Sequence, residues 1–134
     1  SNALVSSIDL AATALSLAGV EGYRGMQSHD LSGLLDEPTA SVRNSVLIEE
    51  DQVHDMVHVG RSLRMRTLLT DEARLTTYAG LDHGELFDRR TDPDELNNLY
   101  GRVEGGALQA EMTAKLLQEM ILLSDESPRP TAFA

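Results

Sequence analysis

The sequence predicts an α+β fold: a small four-stranded antiparallel sheet packed by an N-terminal helix and a long C-terminal helix. Three observations predict it. Four β-rich segments occupy the middle of the chain, a helical periodicity flanks them on either side, and two of the segments are joined closely enough to form a hairpin.

The first helix spans SSIDLAATALSLA, residues 6–18. Ser6 can cap its start, with Asp9 three positions on as the partner of a capping box. Ile8, Ala11, Ala12, Leu15 and Ala18 recur at helical spacing and predict a buried stripe. Gly19 stands where a left-handed C-terminal cap is wanted. Residues 20–40 read as an ordered loop, within which LSGLL forms a single helical turn pinned by Leu31, Leu34 and Leu35. NSVLIEE (44–50) and SLRMRTLL (62–69) alternate with period two; TDEA turns the chain, RLTTYA (74–79) returns it, and GELFD (84–88) is the fourth strand. ALQAEMTAKLLQEMILL (107–123) closes the fold. Leu108, Met112, Leu116 and Met120 sit four apart, and Leu117, Ile121 and Leu123 widen the stripe.

Composition bounds the function. A chain of 134 residues suits one domain with a real core. Its net charge of −11 repels phosphate backbones and anionic lipid surfaces, which argues against nucleic acid and membrane as partners. Without cysteine there are no disulfides, thiolate metal sites or cysteine nucleophile. No apolar run approaches the roughly 20 residues of a membrane helix. Ser1-Asn2-Ala3 resembles the scar of a removed tag, and Leu4 begins without an initiating Met, so residues 4–123 are expected to be a domain cut from a longer protein, with 124–134 a polar tail. The compartment stays open.

Two stretches invite a chemical reading. The first, GELFDRRTDPDELNNL (84–99), gathers Asp88, Asp92, Asp94 and Glu95, hard oxygen donors of the kind calcium prefers. It lacks both the regular ligand spacing and the glycine that such a loop needs. A structural junction explains each residue better. Pro93 suits the first position of a turn, Asp92 can accept the exposed N–H groups behind it, and Glu95 falls where a capping box wants a carboxylate. Asn97 and Asn98 can end the turn in a left-handed conformation, and Leu99 returns to the core.

The second stretch, His54-Asp55-Met56-Val57-His58, imitates a zinc-protease pattern. That chemistry requires a helix, on which histidines at i and i+4 share one face; in extended chain they stand roughly 13 Å apart. The Val-rich surroundings ending in Gly60 favour loop or strand, and no third ligand is evident. Solvated loop histidines, or a contribution to a neighbouring pocket, fit better than a zinc hydrolase. His29 and His83 read as isolated surface or turn histidines.

The blocks together resemble the C-terminal domain of a sulfatase, within the alkaline phosphatase superfamily. VSSIDLAATALSLAGV (5–20) is similar to that family's V-S-x-I-D-L-x-P-T-x-L-x-L-A-G helix, GMQSHDLSGLL (25–35) to the loop after it, and RNSVLIEE (43–50) to a strand ending in glutamate. GELFDRRTDPDELNNL matches E-L-Y/F-D-L-x-x-D-P-x-E-x-x-N-L almost throughout, and is the most specific of the four. Ala12, Ser28, His29 and Arg89 depart from the pattern. The resemblance implies a parent that hydrolyses sulfate esters with a formylglycine and a divalent cation, usually calcium. The resemblance places both in an N-terminal catalytic domain of the same chain; no C/S-x-P-x-R motif or paired Asp-Asp metal strand occurs here. No catalytic residue can be carried onto this chain, which by itself is expected to be inert and to bind no metal.

The expected role is accessory: docking on the catalytic domain and helping to wall the substrate cleft, with His54, His58 and Arg61 as rim residues facing an anionic ester. The same role in a phosphonate or phosphate monoester hydrolase is the alternative. An oligomerisation module built on the acidic face and the Met-bearing helix is a rival of another class.

Overall fold

The computed structural model describes residues 1–55, 58 and 60–124. The centre of the HDMVH stretch and the expected polar tail beyond Ser124 lie outside the described residues. The chain forms two compact units: residues 1–44 with the chain from 121 onward, and residues 45–120.

In the larger unit the four predicted segments are strands: β1 (Val46–Asp51), β2 (Arg64–Leu69), β3 (Ala73–Tyr78) and β4 (Gly84–Asp88). They pair as an antiparallel meander in the order β1-β2-β3-β4. The register sets Leu47, Leu68, Leu75 and Leu86 opposite one another, a row of leucines across one face of the sheet. The closing helix, Gly106–Leu122, covers that row with Met112 and Leu116, and Leu108, Leu99 and Tyr100 fill the margin. Leu68, Leu75 and Leu86 are fully buried. A leucine-sized side chain removed from water contributes about 1.5–3 kcal/mol, so this row is the core of the unit. Ser45 Oγ donates to Glu119 Oε1 at 2.7 Å, tying the entry to β1 against the helix.

The opposite face carries polar groups that are paired within the sheet. Thr67 and Thr76, cross-strand neighbours, share a hydrogen bond of 2.8 Å between hydroxyls. Arg74 lies 4.8 Å above the Phe87 ring and donates to Glu85 (2.9 Å) and Glu95 (2.7 Å). Such charge-assisted bonds, with an aromatic face beneath the cation, hold a long side chain flat on a sheet.

The smaller unit holds α1 (Asp9–Leu17) and the short α2 (Gly33–Asp36), the turn expected at LSGLL. Gly19 is left-handed (φ 69°) as expected; its N–H donates to Ser16 O, and Val20 N–H reaches back to Leu15 O, closing the helix end. The capping box forms only by half. Asp9 Oδ2 accepts from Ser6 N–H (2.7 Å), while the Ser6 hydroxyl makes no capping bond.

Two predicted apolar stripes differ from expectation. In α1 the buried side chain is Asp9, whereas Ile8, Ala11 and Ala18 are exposed and Ala12 and Leu15 only half-buried. The physical reason is that the loop after α1 approaches its polar side: Leu31 N–H donates to Thr13 Oγ1 and His29 N–H to Asp9 Oδ1. On the closing helix, α3 hereafter, Leu117 and Ile121 face out, because one row of sheet leucines engages only the Met112–Leu116 ridge.

Candidate functional site

The 84–99 block is a structural junction, built differently from the expected capped helix start. Pro93 occupies the second position of a turn closed by Glu95 N–H to Asp92 O (3.1 Å), where its fixed φ is favourable. The Asp92 carboxylate accepts from Leu96 N–H (3.1 Å) and Asn97 N–H (2.8 Å), so it does satisfy the turn's donors. Glu95, not Asn97 or Asn98, takes the left-handed conformation (φ 55°), and it forms no capping box. Its carboxylate goes to Arg74 at 2.7 Å and Arg89 at 3.4 Å; two guanidiniums outbid a single backbone N–H. Asp88 is held by Arg90, which bonds it through both Nε and Nη2 and keeps its carboxyl below the usual range.

Asn98 does the joining. Its Oδ1 accepts from Leu86 N–H and Tyr100 N–H, both at 2.9 Å, and its Nδ2 donates to Gly84 O at 3.0 Å. Leu99 N–H adds a bond to Leu86 O at 2.8 Å. The amide thereby fastens the returning chain along the free edge of β4, and Leu99 packs on the core as expected. Gly84 is required here, since a Cβ at this position would fall on the Tyr100 ring.

At one end of the sheet the long β1–β2 connection, residues 52–63, meets the short β3–β4 turn, residues 79–83. Arg61 crosses between them: its Nη2 donates to Gly80 O at 2.5 Å, and a Cβ on Gly80 would press within 3.1 Å of Nη1. His54 and His58 lie exposed in the same connection, and His58 is left-handed (φ 58°). The described residues around them carry no helix, so the shared helical face that zinc chemistry needs is not formed by them. Asp55 Oδ2 accepts from Gly60 N–H at 2.7 Å.

The structure thus brings Arg61 to the adjacent turn. Among the described residues, no group of three or more His, Asp or Glu is placed to hold a metal ion.

One neighbour was not legible from spacing. His83 stacks on Tyr78, ring centroids 6.1 Å apart and nearly parallel, at this same end of the sheet. Tyr78 donates to Glu85 Oε1 at 3.0 Å, and burial, reinforced by that carboxylate, pushes its phenol up. Only the tight 79–83 turn, which folds residue 83 back over 78, could have revealed the pair.

Comparison with known proteins agrees with this architecture. Residues 1–121 match the family described as N-sulphoglucosamine sulphohydrolase, C-terminal. The chain is 30% identical over 127 residues to an ulvan-active sulfatase of Formosa agariphila, covering 93% of this chain and 24% of that protein. It is 28% identical over 131 residues to an N-acetylglucosamine-6-O-sulfatase of Bacteroides thetaiotaomicron, covering 96% and 23%. The chain therefore spans about a quarter of the length of these relatives. The solved structure of a phosphonate monoester hydrolase of Agrobacterium radiobacter superimposes with a TM-score of 0.73 at 20% identity, over 97% of this chain and 27% of that one, a likeness of fold. With its meander, its closing helix and the Asn98-fastened junction, the chain belongs to the sulfatase family of N-sulphoglucosamine sulphohydrolase C-terminal domains.

Proposed function

We propose that this chain is the accessory domain of a sulfatase, docked on a catalytic domain of the same polypeptide and helping to wall its substrate cleft. The observation that carries the reading is the match itself: nearly the whole chain aligns with sulfatases, yet with only a quarter of their length. The formylglycine and divalent cation of such an enzyme would reside in the catalytic domain.

Its contribution is to binding. The relatives' names speak of sulfated saccharides, which are anionic, and a domain with a net charge of −11 needs local cations to approach them. Arg61, braced on Gly80, supplies one at the sheet end formed by the 52–63 connection, and His54 and His58 offer ring nitrogens for hydrogen bonding in the same connection. A guanidinium whose position is already fixed loses less rotamer freedom on meeting a sulfate or carboxylate.

The test is steady-state kinetics of the full-length gene product on a sulfated saccharide. Arg61→Ala, and His54→Ala with His58→Ala, should raise KM by about tenfold, the equivalent of 1.4 kcal/mol, with kcat nearly unchanged. Unchanged KM in every variant would remove these residues from the cleft. Assay of aryl sulfate beside a phosphonate monoester decides between the sulfatase and its structural neighbour's chemistry.

A further inference from the structure

In the smaller unit a pocket of about 400 Å³ opens between α1 and the loop that follows it. That volume falls within the range of small-ligand sites, about 300–1,000 Å³. The local sequence fixes its walls. Met26 N–H closes a turn on Tyr23 O at 3.2 Å, and Gly25 supplies the left-handed residue (φ 88°) that such a turn needs at its third position. Tyr23 and Met26 stand at the two ends of this turn, and both line the pocket. The Tyr23 side is open, the residue being 70% exposed. Asp30 lines the pocket too, held by the Ser16 hydroxyl and by Ser32, whose N–H and hydroxyl reach Oδ1 and Oδ2 at 2.8 Å each. Those bonds, that of Ser16 foremost, keep its carboxyl below the usual range and so ionised at neutral pH. Ser28 adds a hydroxyl with no hydrogen-bond partner among the described residues. A serine left so gains a bond when rotation about χ1 turns it to a ligand.

We infer that this pocket binds an uncharged sugar unit, with Tyr23 as the stacking face, Asp30 as a hydroxyl acceptor and Ser28 as a second polar anchor. Its chemistry narrows the ligand class. The lining holds the anionic Asp30 and no cationic residue, so it repels sulfate, carboxylate and phosphate groups. An apolar ligand would strip the carboxylate and hydroxyls of water without replacing their hydrogen bonds. A carboxylate has about four acceptor positions, and Ser16 and Ser32 already fill three of these. The remainder suits a single O–H better than the several N–H groups of an ammonium or guanidinium. Serine and tyrosine hydroxyls both donate and accept, and a polyol uses both capacities. The apolar C–H face of a sugar ring then lies on the exposed aromatic ring. Nothing in the pocket depends on the reaction of the parent polypeptide, so the site stands apart from the accessory-domain reading. It also differs in kind from the Arg61 connection, since it takes units that carry no sulfate.

NMR titration of the methyl glycosides of glucose, galactose and mannose into the 134-residue chain, with saturation-transfer measurements on the full gene product, tests this. At least one glycoside should shift the amides of Gly22, Met26 and Ser28 with a Kd on the order of 1–10 mM, and should receive transfer from the full product. Tyr23→Ala should weaken that binding about tenfold in both proteins. Leu35→Ala, at a position 74% exposed and outside the pocket, should leave it in place. The 6-sulfate of the bound glycoside should bind about tenfold more weakly than the glycoside itself, and Asp30→Asn should narrow that gap. A merely structural role for Asp30 would not change this selectivity. Silence of these amides with all three glycosides at about 50 mM, or binding that Tyr23→Ala leaves unchanged, would overturn the inference. So would a preference for the 6-sulfate, or shifts with methylammonium chloride and none with the glycosides, which would mark an anion or a cation site. Binding to the 134-residue chain that vanishes in the full product would show the pocket covered there, and would equally overturn it.

Discussion

The guanidinium of Arg43 rests against the carboxylate of Asp9, the side chain that α1 buries completely, although 34 residues separate them. Asp9 also accepts backbone N–H groups from Ser6 and His29. One carboxylate thus ties the helix start, the loop after α1 and Arg43 together within the smaller unit. Removing one partner of a buried pair leaves the other's charge uncompensated, at a cost of about 3 kcal/mol or more. Asp9→Ala should therefore lower stability by about 3 kcal/mol, and the double variant with Arg43→Ala should cost clearly less than the sum of the singles. Urea denaturation of the four proteins measures both; additive losses would show that the pair is not coupled.

The same carboxylate sets an acid limit. Burial pushes the Asp9 carboxyl up, but the His29 and Ser6 N–H groups and Arg43 outweigh it and hold it below its ordinary value. The folded value then lies beneath the unfolded one. The stabilisation is present in full above about pH 4 and is lost as pH falls through the folded value. Stability followed from pH 7 to pH 2 should fall at the acid end, and Asp9→Asn should flatten that fall while lowering the plateau. An unchanged acid limb in the variant would assign the loss to other carboxylates.

Asn98 replaces three backbone partners at the edge of β4. Asn98→Ala strands two N–H groups and a carbonyl in a half-buried setting, which should cost about 2 kcal/mol. Asn98→Asp keeps the acceptor but loses the donor to Gly84 O, and should fall between the two. Urea midpoints for the three proteins give the order directly.

Gly84 and Tyr100 make a reciprocal pair. Gly84→Ala places a methyl group where the ring lies and should destabilise by about 1–3 kcal/mol through overpacking. Adding Tyr100→Ser to that variant should recover part of the loss. A tolerated Gly84→Ala would mean that the junction yields more easily than its hydrogen bonds suggest.

Much of the fold was legible because its determinants are local. Alternation in 62–69 and 74–79 marks the hairpin, Gly19 marks the end of α1, and the Met112–Leu116 spacing marks the packed ridge of α3. What escaped depends on partners far along the chain. Asp9 reads as half of a capping box, since its other donors arrive only at His29 and Arg43. Glu95 reads as a cap until the sheet brings Arg74, 21 residues earlier, within reach. Of the stripe expected along α1, Ile8, Ala11 and Ala18 are exposed, because periodicity reports that a face is apolar and not which body covers it. At the candidate site, residue type singled out Arg61, but its brace on Gly80 depends on two loops meeting.

The most direct measurement is hydrolysis of a chromogenic aryl sulfate by three proteins side by side: the full gene product, the product truncated before residue 4, and this chain alone, each with calcium and with a chelator control. Turnover is expected from the full product, a raised KM or lost activity from the truncated one, and none from this chain. Chelator-sensitive turnover by this chain alone, or full kcat/KM in its absence, would contradict the accessory role.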